Sequence, residues 1–112
     1  MGHSIFIENA IETENVIDGN LVIGTHASFS LLNSDMTPSS FWITHPNNAV
    51  KNNHAAGSDR YGIWYDLMPN PLNGSFTLTI CPEFSKIGVF TDNVTHSNAR
   101  YGFWIWKKLV PR

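Results

Sequence analysis

Apolar residues in this chain come in short bursts: IFI (5–7), NLVIG (20–24), FWIT (41–44), GIWY (62–65), FTLTI (76–80) and GFWIW (102–106). Asn, Gly, Ser or Pro bounds each burst. β-Branched and aromatic residues between such breakers read as short strands ended by turns. Helix signals are scarce, because Pro and Gly punctuate the chain every few residues. The pattern predicts an all-β chain.

The polar positions between the bursts repeat. NNHAAGSDRYGIW (52–64) matches DNVTHSNARYGFW (92–104) at a shift of 40 without a gap, with five identities in thirteen positions. At a shift of 33, NVIDGNLV (15–22) falls on NAVKNNHA (48–55), and GVFTDNVT (88–95) supplies a third copy. Ile17, Val50 and Phe90 become equivalent inward positions, and Asn20, Asn53 and Asn93 an equivalent series at the next corner. An inward apolar residue followed by a corner Asn suits a right-handed parallel β-helix, whose stacked coils need the same wall and the same corner. Asn tolerates the left-handed backbone such a bend requires. Its amide can bond to the same residue one coil away, so a structural Asn20–Asn53–Asn93 ladder is predicted. The shifts exceed a bare coil of roughly two dozen residues. About three coils with long lateral loops are therefore expected, the insertions falling at 25–40 and 66–86. The whole of 1–112 reads as one β-helix segment of a larger protein.

Composition narrows the function classes. Charged residues make up only 14% of the chain and the net charge is −2, so nothing draws it to nucleic acid. The single cysteine, Cys81, excludes an internal disulfide and a zinc site built on paired cysteines. No apolar run approaches the roughly 18 residues of a membrane helix. The opening MGHSIFIENAIE lacks the basic start and apolar core of a signal peptide.

Candidate chemistry is sparse. Trp64 and Trp104 share a repeat phase and point the same way, either into the core or outward as a platform for sugar rings. Arg60 and Arg100 also share a phase. They could form a small ridge that attracts an acidic glycan, or pair with Asp59 and pack on Tyr61 and Tyr101. Among the carboxylates, Glu8 and Asp59 could share a groove, and the competing reading is solvated turn residues. His3, His54 and His96 sit near repeat corners and could gather on folding, yet no histidine pair has metal-ligand spacing. Capping or hydrogen bonding is the expected role, and neither a metal, a catalytic residue nor a cofactor is expected. Two glycosylation sequons occur, at Asn73-Gly74-Ser75 and Asn93-Val94-Thr95. Asn73 lies in an insertion and is the candidate acceptor, whereas Asn93 occupies a coil corner.

GHSIFIENAIETEN, SFSLLNSDMTPSSFWITHPNN, NNHAAGSDRYGIWY, ICPEF and THSNARYGFWI together resemble fibrocystin-like proteins in order and spacing. More distantly they resemble the extracellular hyaluronan-binding and hyaluronan-depolymerising proteins of the same superfamily. The resemblance covers nearly the whole chain and runs into both termini, so both are read as native sequence. It implies very large, secreted or cell-surface proteins, of which this chain is the β-helix piece. The expected partners are the rest of that protein or neighbouring assembly subunits, with extracellular glycan as a further candidate. The expected role is a structural or interaction module of a surface coat. The alternatives are a glycan-binding module using Arg60, Trp64, Arg100 and Trp104, or a fragment of a hyaluronan-depolymerising enzyme. Glu8-Asn9-Ala10 departs from the family's common Glu-Asp-Gly, losing one carboxylate and one glycine.

Overall fold

The structure is a computed structural model that describes residues 3–27, 37–71, 73–106 and 108–112. Among them are ten short strands: β1 (Ile5–Ile7), β2 (Val16–Asp18), β3 (Leu21–Ile23), β4 (Ser39–Ile43), β5 (Ala49–Lys51), β6 (His54–Ala56), β7 (Tyr61–Asp66), β8 (Phe90–Thr91), β9 (Val94–His96) and β10 (Tyr101–Trp106). They form three sheets, ordered β1-β4-β7-β10, β2-β5-β8 and β3-β6-β9. Every pairing is parallel. The chain visits the sheets in rotation, one strand of each per turn, and each coil stacks on the last. This is a parallel β-helix of three coils, with β10 opening another turn.

Alternation along each strand sends every second residue inward. The inward columns are Ile5–Phe41–Ile63–Phe103, Ile7–Ile43–Tyr65–Ile105, Ile17–Val50–Phe90 and Val22–Ala55–Thr95. Phe41, Ile43, Val50, Ala55, Ile63 and Tyr65 in the middle coils have no exposed surface, and they form the centre of the core. The expected inward equivalence of Ile17, Val50 and Phe90 is the register of the second sheet.

Corners are set by two columns of left-handed residues. Gly19, Asn52 and Asp92 have φ of 71°, 55° and 56°, and Gly24, Gly57 and Ser97 have 71° to 77° for the glycines and 57° for the serine. Both columns follow the shifts of 33 and 40. The residue that takes the left-handed bend is therefore the one before each ladder asparagine, a correction to the sequence expectation. Asn20, Asn53 and Asn93 do not turn the chain.

Two other expectations change. FTLTI (76–80) is not a strand: Phe76 and Leu78 are 59% and 74% exposed. Thr77 Oγ1 bonds Thr79 Oγ1 at 2.9 Å and accepts from the Thr79 N–H, so local side-chain bonds take the place of a ladder partner. The insertion actually spans 67–89, where 3-10 turns form at Asn73–Ser75 and Pro82–Phe84. Of the insertion expected at 25–40, residues 28–36 lie outside the described residues, and its end, Ser39 and Ser40, belongs to β4. Among the described residues no helix is long and apolar enough to cross a membrane.

Candidate functional site

At the corner after the second sheet, Asn53 Oδ1 accepts from both the backbone N–H and Nδ2 of Asn20, each at 3.0 Å. Asn93 Oδ1 accepts from the same two groups of Asn53, each at 3.1 Å. The spare amide hydrogens turn back to the coil before: Asn53 Nδ2 donates to Ile17 O and Asn93 Nδ2 to Val50 O, both at 2.9 Å. The three residues are thus brought together in register. A second ladder occupies the preceding corner, where Asn48 Oδ1 accepts from the N–H and Nδ2 of Asn15. Its third position is Gly88. A Cβ there would lie 2.6 Å from Asn48 O, so the rung is left without a side chain.

The outer face of the four-stranded sheet carries a column of aromatic rings, Phe6–Trp42–Trp64–Trp104. The Trp42 and Trp64 centroids are 6.3 Å apart, those of Trp64 and Trp104 5.3 Å, and Tyr61 lies 5.3 Å from Trp64 and 4.4 Å from Trp104. His3 stacks on Trp42 at 4.5 Å. Trp64 and Trp104 point the same way, as their shared phase requires, and that way is outward. Flanked on both sides, Trp64 is only 9% exposed and has no open face for a sugar. The platform assigned to Trp64 is corrected accordingly. Its indole N–H has no partner among the described residues. For Trp64, ring-to-ring packing thus replaces polar contact.

Arg60 and Arg100 stand next to each other, both exposed, at the N-terminal ends of β7 and β10. Arg100 N donates to Arg60 O at 2.9 Å, and the Arg100 guanidinium sits 5.9 Å above the Tyr101 ring. Asp59 turns to a different neighbour. The Ala27 N–H at 2.8 Å and the His26 ring at 3.2 Å hold its carboxyl below the usual range. Glu8 follows β1, at the other end of this parallel sheet, so Glu8 and Asp59 do not share a groove. His54 and His96 meet, and His3 does not join them.

At Glu8's end of the sheet lies a cavity of about 270 Å³, bounded by Glu8, Asn9, Trp42, Thr44, Asp66 and Asn70 among others. Trp42 Nε1 donates to Asp66 Oδ2 at 3.3 Å, which fixes a carboxylate beside an indole. Thr44 Oγ1 donates to Ile7 O and accepts from the Ala10 N–H, so the wall is tied to β1. Ala10 is held with φ at 63°. Two carboxylates, Glu8 and Asp66, sit among amides, Trp42, Ala10 and Met68, so this concavity is a mixed, negatively charged seat.

Parallel coils, an asparagine ladder at the corner after the second sheet and a tryptophan on each of β4, β7 and β10 now stand together. The family described as CEMIP beta-helix matches residues 1–103. The chain belongs to this family. It is 40% identical over 110 residues to mouse fibrocystin-L, covering 98% of the chain and 3% of that relative. Against human fibrocystin-L the identity is 38% over the same length and the same shares. Human cell surface hyaluronidase CEMIP2 is 34% identical over 134 residues, covering 96% of the chain and 10% of that protein. The chain therefore spans a small fraction of the CEMIP β-helix proteins it resembles. No solved structure matches it.

The cavity was missed from sequence because the four-stranded sheet does not repeat at 33. Its successive shifts are 36 from Ile5 to Phe41, 22 from Phe41 to Ile63 and 40 from Ile63 to Phe103. The signal was the recurring aromatic or aliphatic residue before a tryptophan, at 41–42, 63–64 and 103–104. Following it would have placed Trp42 in the column and Asp66 at its far end.

Proposed function

We propose that this segment is a structural and interaction module of a large extracellular or cell-surface protein. The observation that carries this reading is the asymmetry of the coil ends. On β8–β10 the inward column stays uncovered: Phe103 is 42% exposed and stacks on the partly exposed Phe90 at 4.6 Å. At the other end the inward Ile7 and Ile17 are only 8% and 9% exposed and the inward Ile5 and Val22 are partly buried, so no inward side chain there is as open as Phe103. An apolar end with an open strand edge calls for another coil. The natural cover is a further coil of the same longer protein, consistent with the small share of the fibrocystin-L relatives that this chain spans. Sedimentation velocity tests this. The chain by itself is expected to self-associate as concentration rises, and Phe103→Lys to remain monomeric. A monomeric parent chain at all concentrations would remove the support.

A second reading, glycan binding, is supported by the cavity rather than by the arginines. Trp42 and the amides of Asn9 and Asn70 suit a sugar hydroxyl pattern. Glu8 and Asp66 repel an anionic chain, so the seat favours a neutral glycan over hyaluronan. Titration with neutral and with hyaluronan oligosaccharides separates the two. Binding of the neutral series, lost in Trp42→Ala, supports the seat; tighter binding of hyaluronan contradicts it.

A further inference from the structure

The outer face of the β3–β6–β9 sheet carries two histidines outside both ladders and the cavity. His54 Nε2 and His96 Nε2 lie 2.8 Å apart, with the rings edge to face. His96 Nδ1 is 2.9 Å from Ser97 Oγ, and Ser97 is fixed in the left-handed corner column. With the Nδ1–H donated to that hydroxyl, the lone pair of His96 Nε2 faces His54. A single proton then occupies the gap between the two rings.

We propose that His54 and His96 form a binding site for a tetragonal transition-metal ion, Cu²⁺ foremost. The two Nε2 atoms are cis ligands, and water fills the remaining positions. Two nitrogens about 2.0 Å from a metal and at right angles to each other lie roughly 2.8 Å apart, which is the separation already present. Binding needs His54 to hold its proton on Nδ1, which frees the Nε2 lone pair and leaves the net charge of the pair unchanged. The Ser97 hydroxyl is the outer partner that fixes the tautomer of a metal-bound imidazole. The strands of this sheet, Leu21–Ile23, His54–Ala56 and Val94–His96, contain no Lys or Arg to repel a dication. Copper stands at the top of the divalent affinity order for imidazole ligands. Among the described residues no group of three His, Cys, Asp or Glu converges, so the ion would be exchangeable and not a structural staple.

The test is Cu²⁺ titration of the whole chain by calorimetry, with electron paramagnetic resonance on the complex. The amino terminus is acetylated so that Met1-Gly2-His3 cannot chelate the ion. One equivalent is expected, with two imidazole nitrogens coupled to the copper. His54→Gln and His96→Gln should each weaken binding at least tenfold, while His26→Gln leaves it unchanged. Metal-free melting curves of the variants check that the fold is intact. Binding equal to the parent in both variants, a single coupled imidazole, or the same loss in His26→Gln would overturn the site.

Discussion

At the scale of single residues, the asparagine ladder makes the sharpest claim. Asn53 is 2% exposed, and its side chain serves Asn20, Ile17 and Asn93 at once. Asn53→Ala leaves the Asn20 N–H and the Ile17 carbonyl without their partner. Each such buried group costs about 1–3 kcal/mol, so a loss of about 3 kcal/mol is expected in urea unfolding, against well under 1 kcal/mol for the exposed Asn47→Ala. His45 offers a second test. It is 4% exposed, burial lowers its pKa, and its Nδ1 accepts the Asn47 N–H at 3.1 Å. The unfolded chain therefore takes up a proton first. The stability held by the neutral ring is complete above the ordinary histidine range of about 6.5 and declines as pH falls through and below it. His45→Asn keeps an acceptor placed for a turn two residues on. Unfolding midpoints at pH 7.5 and 5.5 should fall less in this variant than in the parent; an equal fall would assign the pH dependence elsewhere.

At the scale of strands and corners, what could be read in the sequence depended on loop length. The second and third sheets share the shifts of 33 and 40, so Ile17, Val50 and Phe90 and the three ladder asparagines aligned without a gap. The first sheet repeats at 36, 22 and 40 because its loops differ, and Trp42 was lost from the column. The direction of the tryptophans was not legible either. Alternation states that Trp64 and Trp104 agree, but not which face is covered, since an aromatic column can bury itself. FTLTI carried strand composition without a partner, and propensity alone does not make a sheet. Corner placement bears on glycosylation. Asn93 Nδ2 donates one hydrogen to Val50 O inside the stack, and its other hydrogen is equivalent to the one by which Asn53 Nδ2 reaches the next coil, so a sugar on that nitrogen would block the stacking of a further coil. Glycopeptide mass spectrometry on protein from a secretory host is expected to find Asn93 unmodified and Asn73, on the 67–89 insertion, as the site able to carry sugar. A glycan on Asn93 would contradict the register.

At the scale of the whole molecule, the stack is built unequally from end to end. Its middle is sealed by Phe41, Ile43, Val50, Ile63 and Tyr65, all fully buried. The Tyr65 hydroxyl is enclosed without a hydrogen-bond partner among the described residues, and burial raises its pKa. The β8–β10 coil leaves Phe103 open. Such an end was anticipated from the bare idea of stacked coils, but which end stays open needed coordinates. A module meant to be continued should be protected in its middle and should gain protection at that one end when something covers it. Amide hydrogen exchange, read at a low and a high protein concentration, measures this directly. The expected result is strong, concentration-independent protection on β4, β5 and β7, with β8 and β10 becoming slower to exchange as concentration rises and β1 unchanged. Protection on β10 that is independent of concentration, or a gain confined to β1 or to the 67–89 insertion, would contradict the open coil end as the interaction surface.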